Sequence, residues 1–293
     1  MRLAILTKIL TKAAVLAPLS LLAGHEPAAN TTPITVVRLD PGAFAYRLAG
    51  DFARGGQPVN APRRWTRFNH PFFIMKNEVS EALYDRCVAT GDCPARAKGE
   101  PARSDLPAVG VSWRDAIMFA RWLSRETGEA WRLPSDAEWA FAAGGRFKDD
   151  AVSVSAGGDF ARRWLAKYDQ EAGSAPSLSA QPQPFGAFGA NERGVEDLSG
   201  NVWEWTSTCF GRQTLDERGE PIGAPFLNCG VRVAEGAHRA YVSDFVRDAR
   251  AGGCSVGAPP SNLGFRLVRE DRGWGAILRD MFGAERKPEA ETS

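Results

Sequence analysis

The first third of the chain alternates between strand-like and loop-like patterns of hydrophobicity. Residues 31–50 alternate apolar and polar positions from Ile34 to Leu39, as edge strands do. Residues 51–69 are rich in Gly, Pro, Asn and Arg, and this composition predicts a loop. The apolar stretch 70–75 predicts a short strand that leads towards the first helix.

Serine caps mark the first two predicted helices. Ser80 can cap a helix that runs to about Ala89. Ser112, with Asp115 three residues later, resembles a capping box, and apolar residues then recur at helical spacing until Gly128. The second of these helices therefore has a predicted start and a predicted end.

A third helix is predicted after Ser135, which forms a second capping box with Glu138, and Gly144 ends it. Beyond residue 145 the helical signal nearly vanishes. Gly, Pro, Ser and short apolar triplets alternate there, which predicts irregular loops pinned to a small sheet. The helical signal returns at residues 274–282, and the residues after it should be disordered.

The first thirty residues have the pattern of a secretory signal. Arg2, Lys8 and Lys12 give a positive start, and an apolar run covers residues 13–23. This run is shorter than the roughly 20 residues that a spanning helix needs. We predict a signal peptide at 1–29, one domain at 30–270, and a short helix with a disordered tail at 271–293. The protein is then periplasmic or secreted and not embedded in a membrane, the alternative being a frayed N-terminal helix on a cytosolic protein.

Composition excludes some classes of partner. The chain has 36 Lys and Arg against 35 Asp and Glu, a formal net charge of +1. A nucleic-acid-binding protein or a polybasic membrane-surface module should show a basic excess or a basic stripe. The near balance of charges therefore argues against both classes. The 30 Gly and 19 Pro indicate many turns, and the nine Trp indicate a large core or a deep groove.

Export places the five cysteines in a compartment that permits disulfides. Cys87 and Cys93 flank a short loop whose Gly-Asp lets the chain turn back, so we predict a bridge between them. Of Cys209, Cys229 and Cys254 one is left over, and the sequence leaves all three pairings open. Zinc is a poor alternative because the chain has no CxxC pair and no HxxxH spacing.

Five separated segments together resemble one family. They are KNEVS at 76–80, PAVGVSW at 107–113, RLPSDAEW at 132–139, DLSGNVWEWT at 197–206 and NLGFR at 262–266. In this order and spacing they resemble the formylglycine-generating-enzyme, or sulfatase-modifying-factor, domain family, which also includes pyoverdine-maturation proteins and the C-terminal domain of hercynine oxygenases. Each segment alone is a weak signal, whereas the combination is specific. The resemblance covers roughly residues 32–270.

This resemblance implies an α+β, loop-rich, C-type-lectin-like fold with a structural calcium ion. In the family, a Glu that matches Glu204 and nearby backbone carbonyls hold the calcium, an ion that takes oxygen ligands in flexible geometry. The corresponding carbonyls here belong to Ser199, Gly200 and Val202. The alternative is a buried Glu204 that is paired with an arginine, either Arg250 or Arg266.

The chain departs from its relatives where they carry out oxidation. The family's aerobic enzymes use two cysteines, five residues apart, that bind copper and engage the substrate thiol. Counting back from Gly264, the matching positions hold His238 and Ser243. Cu(I) prefers thiolates, and an imidazole with a hydroxyl does not replace them. Formylglycine generation is therefore not expected, and we take His238, Ser243, Arg239 and Trp205 as the candidate catalytic residues, with Tyr241 in the same groove.

An iron site of the three-histidine kind is not expected either. The chain has three histidines, and His25 lies in the predicted signal region. His70 precedes a predicted strand, and His238 stands where the family carries out its redox chemistry. The alternative for His238 is a surface or supporting histidine without a catalytic role.

Three functions are compatible with these observations. The first is an exported protein that supports maturation of a periplasmic enzyme or peptide-like metabolite, of the nitrite-reductase-accessory or pyoverdine-tailoring type. The second is a metal-dependent oxidase with a non-standard copper or iron site near His238 and Cys254. The third is a non-catalytic ligand-binding module, since lectin-like folds present irregular loops to ligands. We favour the first, with a periplasmic client protein or peptide-like metabolite as its partner.

Overall fold

The computed structural model of this chain describes residues 34–96, 101–152, 160–174, 181–248 and 262–270. The predicted signal peptide, Arg250, Cys254 and the predicted C-terminal helix and tail lie outside these ranges. Within them the fold is α+β, as predicted, with four α-helices and three sheets. None of the helices in these ranges is both long enough and apolar enough to cross a membrane.

The three predicted helices begin at their serine caps. The helices are α1 (Glu81–Ala89), α2 (Trp113–Thr127), α3 (Asp136–Ala143) and α4 (Phe160–Ser174). Ser112 and Asp115 form a reciprocal capping box at α2, and Ser135 and Glu138 form another at α3. Gly128 ends α2 with a left-handed φ of 69°. The predictions of α1, α2 and α3 are confirmed.

Helix α4 corrects the prediction that helical structure ends near residue 145. Its amphipathic order is inverted, because Trp164 and Tyr168 are each 43% exposed while Glu171 is only 4% exposed. The ammonium of Lys167, one turn before Glu171, lies 3.9 Å from that carboxylate. A search for a buried apolar stripe cannot find a helix whose covered face carries charged residues.

Three sheets contain the strands of the described residues. They are β1 (Val36–Leu39), β2 (Gly42–Arg47), β3 (Asp51–Arg54), β4 (Gln57–Val59), β5 (Arg63–Phe68), β6 (Phe72–Met75), β7 (Trp131–Arg132), β8 (Trp203–Leu215), β9 (Pro221–Glu235), β10 (Ala240–Ser243), β11 (Leu263–Gly264) and β12 (Val268–Glu270). One sheet has the order β1-β6-β12-β7, and β2 pairs with β5. The largest has the order β10-β9-β8-β3-β4, with β11 also paired to β8.

Residues 51–69 form strands, and the prediction of a loop there is wrong. β3 and β4 make a hairpin whose turn residues, Gly55 and Gly56, have φ values of 55° and 76°. Positive φ at both positions is what a two-residue type I′ turn requires, so this glycine pair was a usable hairpin signal. β5 pairs with β2 along its whole length.

The second half contains long strands instead of the small sheet that the sequence predicted. β8 has 13 residues and β9 has 15, and they form one antiparallel hairpin. Residues 221–230 of β9 are all exposed, although many of them are apolar. A disulfide between Cys209 and Cys229 ties the two strands together. Short apolar triplets gave no indication of this length because the first ten residues of β9 have no buried face to impose an alternating pattern.

The main core lies where the sequence motifs meet. It packs α1 and α2 against the start of β8 and the segment after β11, and it includes Trp203 and Trp205. The ring of Phe265 meets the rings of Phe119 and Tyr84 edge-on, with centroids 5.3 Å and 6.3 Å away. Such aromatic contacts stabilise a core beyond their area alone.

Candidate functional site

One residue from each of three motifs meets at the carboxylate of Glu204. Oε2 of Glu204 accepts hydrogen bonds from Nε of Arg266 at 2.6 Å and from Nε1 of Trp139 at 2.9 Å. Oε1 accepts a second bond from Arg266, from Nη2 at 2.8 Å. This two-pronged arrangement is the strongest form of arginine–carboxylate contact. A buried ion pair therefore joins segments that are far apart in sequence.

Arg266 also binds the surrounding backbone. Its guanidinium donates hydrogen bonds to the carbonyls of Met75, Lys76 and Glu196 at 3.2, 2.9 and 3.0 Å. Gly264, two residues earlier, is required by space, because a Cβ there would lie 2.9 Å from the carbonyl oxygen of Ala108. The NLGFR segment is thus a structural device, in which the glycine permits close approach and the arginine joins three loops.

A second carboxylate lies beside this pair. The carboxylate of Glu78 is 3.7 Å from Arg266, and its side chain has no exposed surface. Neither of its oxygens has a hydrogen-bond partner in the described structure. Burial raises the pKa of Glu78 to about 8, Arg266 lowers it in part, and the charge of Glu204 raises it further. Glu78 is therefore mostly protonated at neutral pH.

The contacts of Glu204 match the arginine alternative that the sequence left open. Both carboxylate oxygens are occupied by Arg266, and Trp139 adds a third donor. A calcium ion at this carboxylate would have to displace the guanidinium of Arg266. The side chains around Glu204 therefore suit the ion pair with Arg266 and do not suit a calcium ion. Calcium with Glu204 and the carbonyls of Ser199, Gly200 and Val202 stays a prediction.

His238 lies two residues before β10, and Ser243 is the last residue of that strand. They are 7% and 9% exposed. Nδ1 of His238 is 3.1 Å from the carbonyl oxygen of Arg239, and its ring meets the ring of Trp203 edge-on at 5.3 Å. Nε1 of Trp203 donates a hydrogen bond to the carbonyl of His238 at 3.0 Å. The position of His238 is therefore fixed by contacts of its imidazole ring and of its backbone carbonyl.

Arg239 is the centre of a second buried ion cluster. Its guanidinium contacts the carboxylates of Glu235, Asp136 and Asp150 at 2.8, 3.1 and 3.0 Å. Burial raises the pKa of Glu235 well above its ordinary value, and repulsion by Asp136 adds to the increase. Tyr46 donates a hydrogen bond to Asp136. Sequence reasoning missed Asp136 and Asp150 because they are far from Arg239 in the chain, and it missed Glu235, four residues before Arg239, because no helical pattern there indicated a pair.

The predicted groove residues divide between two places. The hydroxyl of Tyr241 donates to Asp150 at 2.7 Å and accepts from the backbone N–H of Gly50 at 2.7 Å, so Tyr241 belongs to the Arg239 cluster. Trp205 instead lies in the main core, where its Nε1 donates to the carbonyl of Val111 at 3.0 Å. Catalytic roles for His238, Ser243, Arg239 and Trp205 stay predictions.

Two disulfides account for four of the five cysteines. Cys87 is bonded to Cys93, as the sequence predicted, with 5.3 Å between their Cα atoms. Of the three open pairings, the structure contains Cys209 with Cys229, whose Cα atoms are 4.5 Å apart. The fifth cysteine, Cys254, lies outside the described residues. All four cysteines within the described ranges are therefore in disulfides.

The described residues contain no cluster of typical metal-ligating side chains. No three of their His, Cys, Asp and Glu side chains are placed to hold a metal ion. His70 is exposed next to β6, whereas His238 is buried beside Trp203. Within the described ranges all four cysteines are in disulfides, and only two of the chain's three histidines are present. The absence of a copper or iron site stays a prediction.

Comparison with known proteins identifies the class to which this fold and site belong. Residues 23–271 match the Sulfatase-modifying factor enzyme 1-like domain, and the chain belongs to this family. The structure of PvdO from Pseudomonas aeruginosa has the same fold, with a TM-score of 0.51 at 23% identity, over 80% of this chain and 94% of PvdO. The predicted family and fold are confirmed.

Relatives in sequence include active and inactive enzymes. The formylglycine-generating enzyme of Streptomyces coelicolor is 29% identical over 191 residues, which are 58% of this chain and 57% of that protein. The mouse protein named inactive C-alpha-formylglycine-generating enzyme 2 is 33% identical over 177 residues, 56% of this chain and 49% of that one. The matches thus span about half the length of these two relatives.

Proposed function

We propose that this chain is an exported member of the family that supports the maturation of a periplasmic enzyme or peptide-like metabolite and does not itself generate formylglycine. The cysteine count carries the second half of the proposal. Two disulfides leave one thiol per chain, and Cu(I) coordination of the family's kind needs two thiolates. The existence of a mouse relative named as inactive supports a use of this domain without that activity.

The first experiment asks whether the protein oxidises a peptide thiol. The purified protein is loaded with Cu(I) and incubated in air with a sulfatase-type cysteine peptide. Aldehyde is then followed by mass and by hydrazide labelling. We expect none, because His238 and Ser243 offer an imidazole and a hydroxyl in place of two thiolates. Aldehyde formation by the unaltered protein would refute the proposal.

A matched set of variants locates the missing chemistry. The double variant His238→Cys, Ser243→Cys restores two thiols, while each single variant supplies one. Cys254→Ser is included throughout so that the remaining native thiol cannot exchange with the new ones. We expect copper binding by the double variant alone. Equal copper binding by the single variants would contradict a requirement for the pair.

Export is tested by following the chain in a bacterial host. The two disulfides support an oxidising compartment, where such bonds form and persist. We expect the protein in the periplasmic fraction, with a new N-terminus between residues 23 and 29. A cytosolic protein that keeps Met1 would contradict export.

Calcium binding is tested by thermal unfolding. An ion that binds the native state raises the melting temperature as its concentration increases. The melting temperature is compared in calcium and in chelator, for the original protein and for Glu204→Gln. A melting temperature that is indifferent to both additives would leave Glu204 solely as the partner of Arg266.

A further inference from the structure

A cavity of about 550 Å³ lies beside the Arg239 cluster and outside the positions matched to the family's thiol pair. Its walls come from the β3–β4 hairpin, helix α4 and the exposed end of the β8–β9 hairpin. Asp150 lies on its lining, and the ammonium of Lys167, another lining residue, is 5.4 Å from the ring centre of Tyr241. The cavity has the size of a small-molecule site.

Half of the residues that the β8–β9 hairpin contributes to the cavity are apolar, namely Ile222, Ala224 and Phe226. Arg212 is opposite Phe226 and Thr214 is opposite Ile222, with a register shift between the two pairs. Directly opposite residues lie on the same face of a sheet, so each apolar residue shares a face with its polar partner. Phe226 is 64% exposed and Ile222 is 56% exposed. A wall of this kind can cover the flat face of an aromatic ring.

Helix α4 supplies cations and a second aromatic wall. Arg163 and Lys167 are four residues apart, so they lie on one face of the helix, and Trp164 follows Arg163. All three line the cavity. The indole of Trp164 stacks on Tyr168 with ring centres 5.7 Å apart, which holds it in place while leaving it 43% exposed. The inverted polarity of α4 thus directs charged residues towards the cavity.

The charges around the cavity favour an anion. The carboxylate of Asp150 is already in an ion pair with Arg239 at 3.0 Å, and it accepts a hydrogen bond from the hydroxyl of Tyr241 at 2.7 Å. Lys167 lies 3.9 Å from Glu171, and Arg212 lies 3.6 Å from Asp51. Arg163 instead donates to Oδ1 of Asn60 at 2.6 Å, and none of the described carboxylates forms an ion pair with it. Desolvation lowers the pKa of Arg163, and Asp150 and Asp51 offset that change only in part. A bound carboxylate would stabilise the charged guanidinium.

We propose that this cavity binds a small aromatic carboxylate. The ring lies between Trp164 and Phe226, and the carboxylate accepts hydrogen bonds from Arg163. Lys167 serves as a second cation, which the ligand shares with Glu171. Arginine matches a carboxylate through two parallel N–H donors, which gives the site its preference for this anion. The inference does not depend on the proposed maturation role, because it rests on a cavity that the thiol-pair positions do not line.

Calorimetric titration with 2-naphthoate tests the site, and the neutral analogue 2-naphthalenemethanol serves as the ligand control. We expect naphthoate to bind at least tenfold more tightly than the alcohol. Arg163→Gln should remove most of this difference, because it removes the charged donor and keeps a neutral polar side chain. Phe226→Ala should weaken both ligands alike, because it removes apolar contact area only.

Two further variants make the test decisive. Lys167→Gln replaces the second cation and leaves the Arg163–Asn60 hydrogen bond in place, so it reports on charge even if Arg163→Gln disturbs the fold. Arg103→Gln makes the same change at an exposed arginine that pairs with Asp105 and does not line the cavity. It should leave the affinity unchanged. Absence of naphthoate binding, equal affinity for the two ligands, or full affinity in both Arg163→Gln and Lys167→Gln would overturn the proposal.

Discussion

Two buried arginines organise this molecule in different ways. Arg266 binds Glu204 and lies beside Glu78, and none of the three side chains reaches solvent. Arg239 is equally buried, but one of its three carboxylate partners, Asp150, is 10% exposed and lines the cavity. The first cluster is sealed inside the protein, whereas the second ends at a surface that a ligand can reach.

The difference separates a structural ion pair from one that can respond to binding. A sealed ion pair contributes mainly by holding its segments together, and removal of one partner leaves a buried charge. A cluster that reaches a cavity can exchange one partner for a ligand or for water. Burial of a charged cluster by itself therefore indicates no function. Whether one of its residues reaches solvent decides whether the cluster can bind a ligand.

The largest effect is expected for Arg266→Met. It leaves Glu204 charged and buried without its guanidinium, a change that costs about 3–5 kcal/mol. Urea unfolding measures the loss. Arg103→Met is the control, because this exposed arginine pairs with Asp105 at the surface and should cost less than about 1 kcal/mol. A similar loss in the two variants would remove the distinction between a sealed pair and an exposed one.

Arg239→Met should cost less, at about 3 kcal/mol, because Asp150 can turn to water and because burial raises the pKa of Glu235, which can then hold a proton. It should also weaken naphthoate binding, since the negative charge of Asp150 is then uncompensated at the cavity wall. Arg266→Met, measured at low temperature where it stays folded, should leave naphthoate affinity unchanged. If Arg239→Met bound naphthoate as tightly as Arg266→Met does, the link between Arg239 and the cavity would be contradicted, even if the two variants differed in stability.

The pH dependence of stability should change in Glu78→Gln. Burial raises the pKa of Glu78 from 4.5 to about 8, so the native state keeps a proton that the unfolded state loses. This contribution to stability is complete below the unfolded pKa and is lost as pH rises through the folded pKa. The slope is at most about 1.4 kcal/mol per pH unit.

Urea unfolding between pH 5 and pH 8 measures this slope, and the Gln variant should lose less stability over that range than the original protein. Glu235, whose pKa is also raised, is present in both proteins, so its contribution cancels in the comparison. Identical slopes would show that Glu78 is ionised in the folded state.

The smallest effect is expected for Tyr241→Phe. It removes the hydroxyl that joins Asp150 to the backbone N–H of Gly50, at a cost of about 1–2 kcal/mol. Thermal unfolding measures this loss, with Tyr168→Phe on the exposed side of α4 as the control. A cost as large as that of Arg266→Met would mean that the Arg239 cluster is sealed as well.

Local rules predicted the parts of this fold that depend on local contacts. The capping boxes at Ser112 and Ser135 fixed two helix starts, because a cap is made by residues three positions apart. The loop between Cys87 and Cys93 predicted its own disulfide. Helix α4 escaped because its covered face carries Lys167 and Glu171 in place of apolar residues.

The site was predicted in part for the same reason. The motif residues Glu204 and Arg266 were singled out as a possible pair, and the structure joins them. The partners of Arg239 could not be found, because Asp136 and Asp150 reach it across the fold and acquire their meaning only from burial. Hydrophobic periodicity predicts which face of a helix or strand is buried. It contains no information on which distant charged residue contacts that face.

The position of β12 also determines when the protein can fold. This last described strand lies between β6 and β7, and β3 pairs in parallel with β8 through Asp51 and Arg212. Contacts between such distant segments slow folding, because the long loops must close before any pairing is gained. A nascent chain emerges from the ribosome with β6 and one of its partners, β1, long before the other partner, β12, has been synthesised. This sheet can therefore be completed only after nearly the whole described chain has left the ribosome, so its first half must stay unassembled until then.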